Sequence, residues 1–199
     1  MRDELKILGI AGSLRAASLN ARLIDAAAEL APAGMHVQRW HALGEVPPFD
    51  EDLEAQGVPA SVRALAEAVA AADGLLIATP EYNQSFPGVL KNAIDWLSRD
   101  ESLLAGKPVA LLGATAGRWG TRLAQAGLRH VFAATESLVL PAPMVFLAGG
   151  ERLFDDAGIL QAAEQAQVAR LLGTYMGWIR ALHQPMRSPL PPKSVGASA

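Results

Sequence analysis

A nearly continuous apolar run at residues 5–11 stops at Gly12, and a polar stretch then leads into residues with helical spacing. Such a run, interrupted by one lysine, is typical of a strand that is buried on both faces of a parallel sheet. The apolar residues that follow share one helical face and are Leu19, Leu23, Ala27 and Leu30. The chain therefore begins with a predicted strand, a tight turn and a helix, which is the repeating unit of an open α/β sheet.

The same alternation continues along the chain. Further strands are predicted at residues 35–40, 75–79 and 107–114, and a fifth at either 138–140 or 138–147. Apolar stripes with helical spacing predict helices around residues 62–69, 90–97, 124–132 and 157–182. Residues 47–54, which are rich in proline and acids, are predicted to form a loop. Five strands that alternate with five helices predict a parallel sheet with right-handed crossovers.

The composition favours one domain and argues against several classes of function. With 199 residues, of which 51% are hydrophobic, the chain can bury a single core, which we place at residues 1–184. Residues 185–199 are rich in proline and serine and are predicted to form a flexible tail. A net charge of −3, with no cluster of Lys and Arg, argues against a nucleic-acid partner.

Metal, membrane and secretion signals are also missing from the sequence. The chain has no cysteine, and its four histidines have no metal-ligand spacing, so no metal site is predicted. A charged residue or a proline interrupts every apolar stretch before it could span a membrane. The first six residues include two acids, unlike the basic start of a signal peptide. These features predict a cytoplasmic protein with no membrane partner.

Polar and cationic side chains cluster in the turn after the first strand. Gly12 permits a tight turn, and hydroxyl, guanidinium and amide groups follow it on Ser13, Arg15, Ser18 and Asn20. The next helix would direct free N–H groups to the same place, so a phosphate monoester is the natural ligand. A capped turn with a surface arginine is the alternative. The spacing matches neither G-x-G-x-x-G nor the P-loop, which argues against both nucleotide-binding classes.

Two more loops follow the third and fourth predicted strands. Residues 80–88 form a long polar loop bounded by prolines, and residues 115–117 form a loop of small residues. In parallel α/β sheets, ligands bind beyond the carboxyl ends of the strands, where the strand order reverses. The loops after the first, third and fourth strands could therefore share a ligand. The alternative for the second loop is that Tyr82 only packs the loop and Glu81 is a solvated surface acid.

Two stretches together carry a family resemblance. They are Gly-Ser-Leu-Arg-Ala-Ala-Ser-Leu-Asn at residues 12–20 and Thr-Pro-Glu-Tyr-Asn-Gln-Ser-Phe-Pro-Gly-Val-Leu-Lys-Asn-Ala-Ile-Asp-Trp at residues 79–96. The pair resembles the NAD(P)H-dependent FMN reductases, in particular the flavodoxin-like quinone and chromate reductases. The resemblance implies a flavodoxin-like three-layer sandwich with a five-stranded parallel sheet in the order 2-1-3-4-5. In that order the first and third strands are neighbours.

The resemblance also implies a cofactor and its contacts. FMN would be bound, and NADPH or NADH would be the co-substrate. The residues expected at the FMN phosphate are Ser13, Arg15, Ser18, Leu19 and Asn20. Those expected along the isoalloxazine ring are Pro80, Glu81, Tyr82 and Asn83, with Thr115, Ala116 and Gly117 on its other side. This last loop departs from the serine-rich family pattern, and Thr121 replaces a glycine; Gln84 and Phe86 also differ from many relatives.

The activity implied is hydride transfer from NAD(P)H to flavin N5, followed by electron transfer to a small-molecule acceptor such as a quinone. Chromate and azo compounds are further candidate acceptors. No side chain is predicted to be catalytic, because the FMN itself carries the chemistry. A flavodoxin-type electron carrier is the alternative, although carriers are usually strongly acidic. A flavin-free relative is a second alternative. Trp96, Leu97 and Trp119, together with the high apolar fraction, predict a homodimer or homotetramer.

Overall fold

Six parallel strands form one sheet in this computed structural model, which describes residues 4–183. The strands are β1 (Leu5–Ala11), β2 (Met35–Trp40), β3 (Gly74–Ala78), β4 (Pro108–Thr115), β5 (Leu138–Val139) and β6 (Val145–Ala148). Their order is β2-β1-β3-β4-β5, and β6 also pairs with β4. The predicted flavodoxin-like order is confirmed. The predicted tail at 185–199 lies outside the described residues.

Helices cover both faces of the sheet. Within residues 4–183 they are α1 (Leu19–Glu29), α2 (Glu51–Gln56), α3 (Ala60–Ala71), α4 (Gly88–Leu97), α5 (Glu101–Leu104), α6 (Arg122–Ala134) and α7 (Ala162–Leu182). One core cluster lies between the sheet and α1 and α7, and a second lies between the sheet and α3, α4 and α6. In β1, Ile7 belongs to the first cluster and Leu8 to the second. The strand is therefore buried on both faces, as its apolar run predicted.

A tyrosine on α7 attaches that helix to the centre of the sheet. The Tyr175 hydroxyl is fully buried and lies 2.9 Å from the carbonyl oxygen of Leu75 and 2.8 Å from that of Pro108. A Cβ atom at Gly74 would lie 2.3 Å from the same hydroxyl oxygen, so only glycine leaves room for it. Burial raises the pKa of Tyr175 well above its usual value, because the charged form would lose its hydration.

Two predicted elements differ from the structure near the middle and the end of the sheet. Residues 47–54 are predicted to form a loop, but α2 begins within them at Glu51. The Asp50 side chain accepts hydrogen bonds from N–H groups in the first turn of α2, so Asp50 is the N-cap of this helix. The fifth predicted strand is two short strands, since Pro141 and Pro143 separate β5 from β6 and have no N–H to donate.

The last helix begins later than its sequence pattern predicted. It starts at Ala162 rather than near Ala157, because residues 154–160 form a turn closed by a bridge between Phe154 and Leu160. The Asp155 carboxylate accepts hydrogen bonds from two backbone N–H groups in this turn. Asp therefore diverts the backbone from helix into turn at this point. No helix within residues 4–183 is both long enough and apolar enough to cross a membrane.

Candidate functional site

The loops after β1, β3 and β4 lie side by side at the carboxyl edge of the sheet. β1 pairs with β3 from Ile7 to Ala11, and β3 pairs with β4. The N–H of Gly12 donates to the carbonyl of Ala78 at 2.8 Å, so the turn after β1 starts in contact with the end of β3. The strand order therefore brings together the three loops in which the sequence placed candidate ligand contacts.

Two residues of the first turn fix the start of α1. Ser18 is the N-cap, and its Oγ accepts a hydrogen bond from the N–H of Ala21 at 3.1 Å. Asn20 is only 2% exposed, and its side-chain amide exchanges two hydrogen bonds of 2.9 Å with the backbone of Ala114 in β4. Both side chains thus have structural partners. Each keeps one hydrogen that makes no hydrogen bond within the described part of the chain, so a contact with phosphate stays a prediction.

Arg15 lies at the exposed edge of the same turn. Its guanidinium has no acidic partner among residues 4–183, whereas three other arginines do. Those pairs are Arg22 with Glu151, Arg39 with Asp25 and Arg99 with Glu54. A cavity of about 390 Å³ lies beside Arg15, between residues 13–16 and residues 39–45. An unpaired guanidinium next to a helix N-terminus is suited to bind an anion.

The loop after β3 contains a two-residue turn. Tyr82 and Ser85 exchange two backbone hydrogen bonds of 2.9 Å, and the residues between them, Asn83 and Gln84, have φ of 49° and 64°. Asparagine adopts this left-handed backbone readily, but for glutamine it is unfavourable. Tyr82 is 49% exposed, and its hydroxyl donates to Ser13 Oγ at 3.4 Å. The loop after β3 therefore touches the turn after β1.

Glu81, in the same loop, caps a helix. Its Oε2 atom accepts hydrogen bonds from the N–H of Leu123 at 2.8 Å and from that of Ala124 at 3.0 Å. These N–H groups belong to the first turn of α6, whose own N-cap residue, Thr121, makes no side-chain capping bond. The interpretation of Glu81 as a solvated surface acid is therefore wrong. A carboxylate at this position also interacts favourably with the helix dipole.

The loop after β4 is exposed and made of small residues. The N–H of Gly117 donates to Thr115 Oγ1 at 3.2 Å, and Ala116 lies between them. Thr121, where the family resemblance implies a glycine, packs against β4. Thr121 is buried, and a Cβ atom at Gly113 would lie 2.4 Å from its Oγ1. Sequence reasoning missed this pairing, although a glycine inside a buried strand signals a close approach.

Comparison of the sequence with known protein families identifies the family of the chain. Residues 5–152 match the family described as NADPH-dependent FMN reductase. The chain belongs to this family. The predictions of the family, of an oxidoreductase and of FMN with NAD(P)H are thereby confirmed.

Individual relatives agree with this assignment. The chain is 42% identical over 184 residues to an NAD(P)H-dependent FMN reductase of Pseudomonas aeruginosa, covering 92% of this chain and 99% of the relative. It is 38% identical over 179 residues to a 2-hydroxy-1,4-benzoquinone reductase of a Burkholderia species, covering 88% and 97%. Its structure is similar to FerB, a flavoenzyme NAD(P)H:(acceptor) oxidoreductase of Paracoccus denitrificans, with a TM-score of 0.80, 30% identity and coverage of 89% and 98%.

The geometry of this reductase fits FMN. A phosphate dianion matches the unpaired guanidinium of Arg15 and the N-terminus of α1. The isoalloxazine ring matches exposed aromatic surface, which Tyr82 provides at 49% exposure beside Ser13. Within the described residues, no group of His, Asp and Glu is placed to hold a metal ion. A larger cavity of about 560 Å³, between α4 and α6, has no lining residue from the three loops and is separate from this site.

Proposed function

We propose that the protein oxidises NADPH or NADH and reduces a quinone, using one FMN in the site formed by the three loops. The contact between Tyr82 and Ser13 carries this proposal, because it joins the two loops that would hold opposite ends of FMN. The Burkholderia relative, named as a 2-hydroxy-1,4-benzoquinone reductase, supports a quinone as the acceptor. When bound, FMN supplies hydride acceptance from NAD(P)H and electron donation to the second substrate.

The turn after β1 would bind the phosphate. Ser13 and Arg15 are accessible there, and the free backbone N–H groups at Leu19 and its neighbours point out of the first turn of α1. Ser18 and Asn20 would contribute mainly by holding this turn in place, since both already have partners in α1 and β4. Each contact with a phosphate dianion would be charge-assisted and hence stronger than a neutral hydrogen bond.

The other two loops would line the ring. Pro80, Glu81, Tyr82 and Asn83 would face it largely through backbone groups. Thr115, Ala116 and Gly117 would contact it from the side of β4. These segments orient the ring and exclude water from one side of it, while the other side stays open to substrates. NAD(P)H and the acceptor would occupy this open side in turn, so steady-state kinetics should be of the ping-pong type.

The choice of acceptor would depend on residues at the rim of the site. Gln84 lies exposed in the turn, and Phe86 is half-buried against α6. By the family resemblance, both stand at positions where relatives often differ, so they would set the shape of the entrance in this chain. Quinones are flat and suit a space above a flavin ring. Chromate and azo compounds are further acceptors that this proposal includes.

We also propose a homodimer or homotetramer in the cytoplasm, where NAD(P)H is available. Trp96 and Leu97, offered by the sequence as apolar surface, are instead buried at 3% and 2% exposure and cannot form an interface. The support that remains is a set of exposed apolar side chains: Leu14, Trp119, Leu123, Met144 and Ile159. Exposed apolar side chains of this size are what an interface between subunits would cover.

A spectroscopic experiment tests the proposed activity. FMN is added to the purified protein, and excess flavin is removed. Anaerobic NADPH should then bleach the visible absorbance of the bound flavin, and a quinone should restore it. A protein that retains FMN but is not bleached by NADPH or NADH would instead be an electron carrier. A protein that retains no flavin would contradict the proposal.

A further inference from the structure

The loop after β3, residues 80–86, contacts α6 at two points. We call this segment the ring loop. At its start, the carboxylate of Glu81 accepts two hydrogen bonds from the N–H groups of Leu123 and Ala124. At its end, the ring of Phe86 packs against Gly127, where a Cβ atom would lie 2.8 Å from Phe86 Cε1. The absence of a side chain at Gly127 therefore makes room for Phe86.

The two contacts lie one helical turn apart on α6. Residues three and four apart share a helix face, so positions 123, 124 and 127 present one continuous surface to the ring loop. Glycine is less favourable than alanine in a helix interior. Its presence at position 127 is consistent with the need for space beside Phe86.

Between the two contacts lies the unfavourable part of the ring loop. Asn83 and Gln84 both have positive φ, and a left-handed glutamine persists only where the surrounding structure holds it. The backbone pair between Tyr82 and Ser85 closes the turn but does not attach it to the rest of the protein. Apart from the exposed contact of 3.4 Å between the Tyr82 hydroxyl and Ser13, the attachment comes from Glu81 and Phe86 on either side of this turn. α6 therefore contributes to where the turn lies relative to the sheet.

We propose that α6 positions the isoalloxazine end of the flavin site, and that Glu81 and Phe86 are the positioning residues that transmit its location to the ring loop. The inference rests on the proposed function, because it takes FMN to lie against this loop. Neither side chain needs to touch the reacting atoms. Removal of either contact should release the ring loop and weaken binding of the ring, whether or not the ligand has a phosphate.

The test measures dissociation constants of FMN and riboflavin for matched variants of the full chain. Glu81→Ala removes the acceptor, Glu81→Gln keeps an oxygen that can accept the same N–H groups, and Gly127→Ala displaces Phe86. Asp100→Ala is the control. Asp100 also caps a helix, accepting from the N–H of Ser102 at 3.0 Å, but it caps α5, which precedes β4 and so lies near the opposite edge of the sheet. Urea unfolding of each flavin-free variant shows how much stability is lost.

Glu81→Ala should weaken FMN and riboflavin by the same factor, on the order of tenfold, the effect expected for lost charge-assisted hydrogen bonds. Gly127→Ala should weaken both flavins in the same way, and Glu81→Gln should recover most of the affinity. Asp100→Ala should lose stability without losing affinity. The visible absorption band of bound flavin should also shift in Glu81→Ala and return in Glu81→Gln, because the band reports the surroundings of the ring.

Three results would overturn the inference. Unchanged riboflavin affinity in both Glu81→Ala and Gly127→Ala would mean that α6 does not position the ring loop. A loss for FMN alone would place Glu81 at the phosphate. Failure of Glu81→Gln to recover any affinity would exclude the hydrogen bonds to α6 as the cause. If the wild-type protein bound neither flavin, the proposed function would fail, and this inference would fail with it. If the wild-type protein binds flavin tightly, the proposed flavin site stands, and the variants then test only the role of α6.

Discussion

Asn20 and Ala114 exchange two hydrogen bonds of 2.9 Å, one in each direction, between the side-chain amide of one and the backbone of the other. The first turn of α1 is thereby attached to the carboxyl end of β4, two strands away in the sheet. The pairing of β3 with β4 ends at Leu112, so the backbone of Ala114 has no strand partner on the β3 side. The side-chain amide of Asn20 takes the place of that partner. The turn with Arg15 and the loop with Thr115 are thus held at a fixed separation.

Asn20→Ala should lower the free energy of unfolding by about 2–4 kcal/mol, because it leaves a buried N–H and a buried carbonyl of Ala114 unpaired. Asn20→Asp should recover little, since a carboxylate can accept from the N–H but repels the carbonyl. Urea denaturation of the flavin-free protein measures both changes. A loss under about 0.5 kcal/mol, as at an ordinary surface site, would contradict the prediction.

Arg15→Ala should weaken FMN binding by roughly ten- to a hundredfold, the effect of one lost charge-assisted contact of about 1.5–3 kcal/mol. Riboflavin, which has no phosphate, should bind almost as before. Affinities of both flavins for wild type and variant give a double difference in which general damage cancels. Equal losses for the two flavins would show that the phosphate lies elsewhere.

Tyr175→Phe should cost about 1–3 kcal/mol at pH 8, since the hydroxyl bonded to two strand carbonyls is lost. The effect should shrink in alkali. An unfolded tyrosine ionises near pH 10.0, whereas burial raises the pKa of Tyr175 in the folded chain. Its stabilising contribution is therefore complete below pH 10 and falls as the pH rises, by up to about 1.4 kcal/mol per pH unit.

Urea midpoints of wild type and Tyr175→Phe at pH 8 and pH 11 test this dependence. Wild type should lose stability relative to the variant between the two values. A difference between the two proteins that is the same at both pH values would rule out Tyr175 as the source of the alkaline sensitivity.

Light scattering at micromolar concentration should give a mass of two or four chains of 20.9 kDa. Trp119→Glu places a charge on the most exposed tryptophan, which has 69% exposure, and should shift the population toward the smaller species, because the charge would lie in the proposed interface. A wild-type mass of one chain would refute the oligomer prediction, whatever the behaviour of the variant.

The alternation of strands and helices was predictable from the hydrophobic pattern, whereas the strand order, and with it the convergence of the three loops, was implied by the family resemblance. The apolar run at residues 5–11 and the two motifs at residues 12–20 and 79–96 each lie within one contiguous stretch of sequence, so they can be recognised without knowledge of the fold. Boundaries that depend on one side chain were not predicted. Asp50 initiates a helix and Asp155 a turn through bonds to backbone N–H groups a few residues away, and both residue types occur equally well in solvated loops.

The partners of the site residues could not be predicted for a different reason. Glu81 is 42 residues from Leu123, and Asn20 is 94 residues from Ala114, so no local pattern links them. A polar residue in a motif can bind a ligand or hold the loops that bind it. For Asn20, the sequence indicated ligand binding, whereas the structure shows that its side chain holds the turn against β4. One amide hydrogen of Asn20 has no partner in residues 4–183, so the side chain can do both.

The fit between Gly113 and Thr121 limits which substitutions this chain can accumulate. A side chain at position 113 would meet Thr121 Oγ1 at 2.4 Å and also the carbonyl oxygen of Thr79 at 2.3 Å. Reversion of Thr121 to glycine would relieve only the first clash, so position 113 is closed to any larger residue in either background. Position 121 is constrained as well, because Thr121 Oγ1 accepts a hydrogen bond from the buried side chain of Gln125 at 3.0 Å. Libraries built on this chain should therefore keep Gly113 fixed, since any larger residue there would meet two neighbours at once.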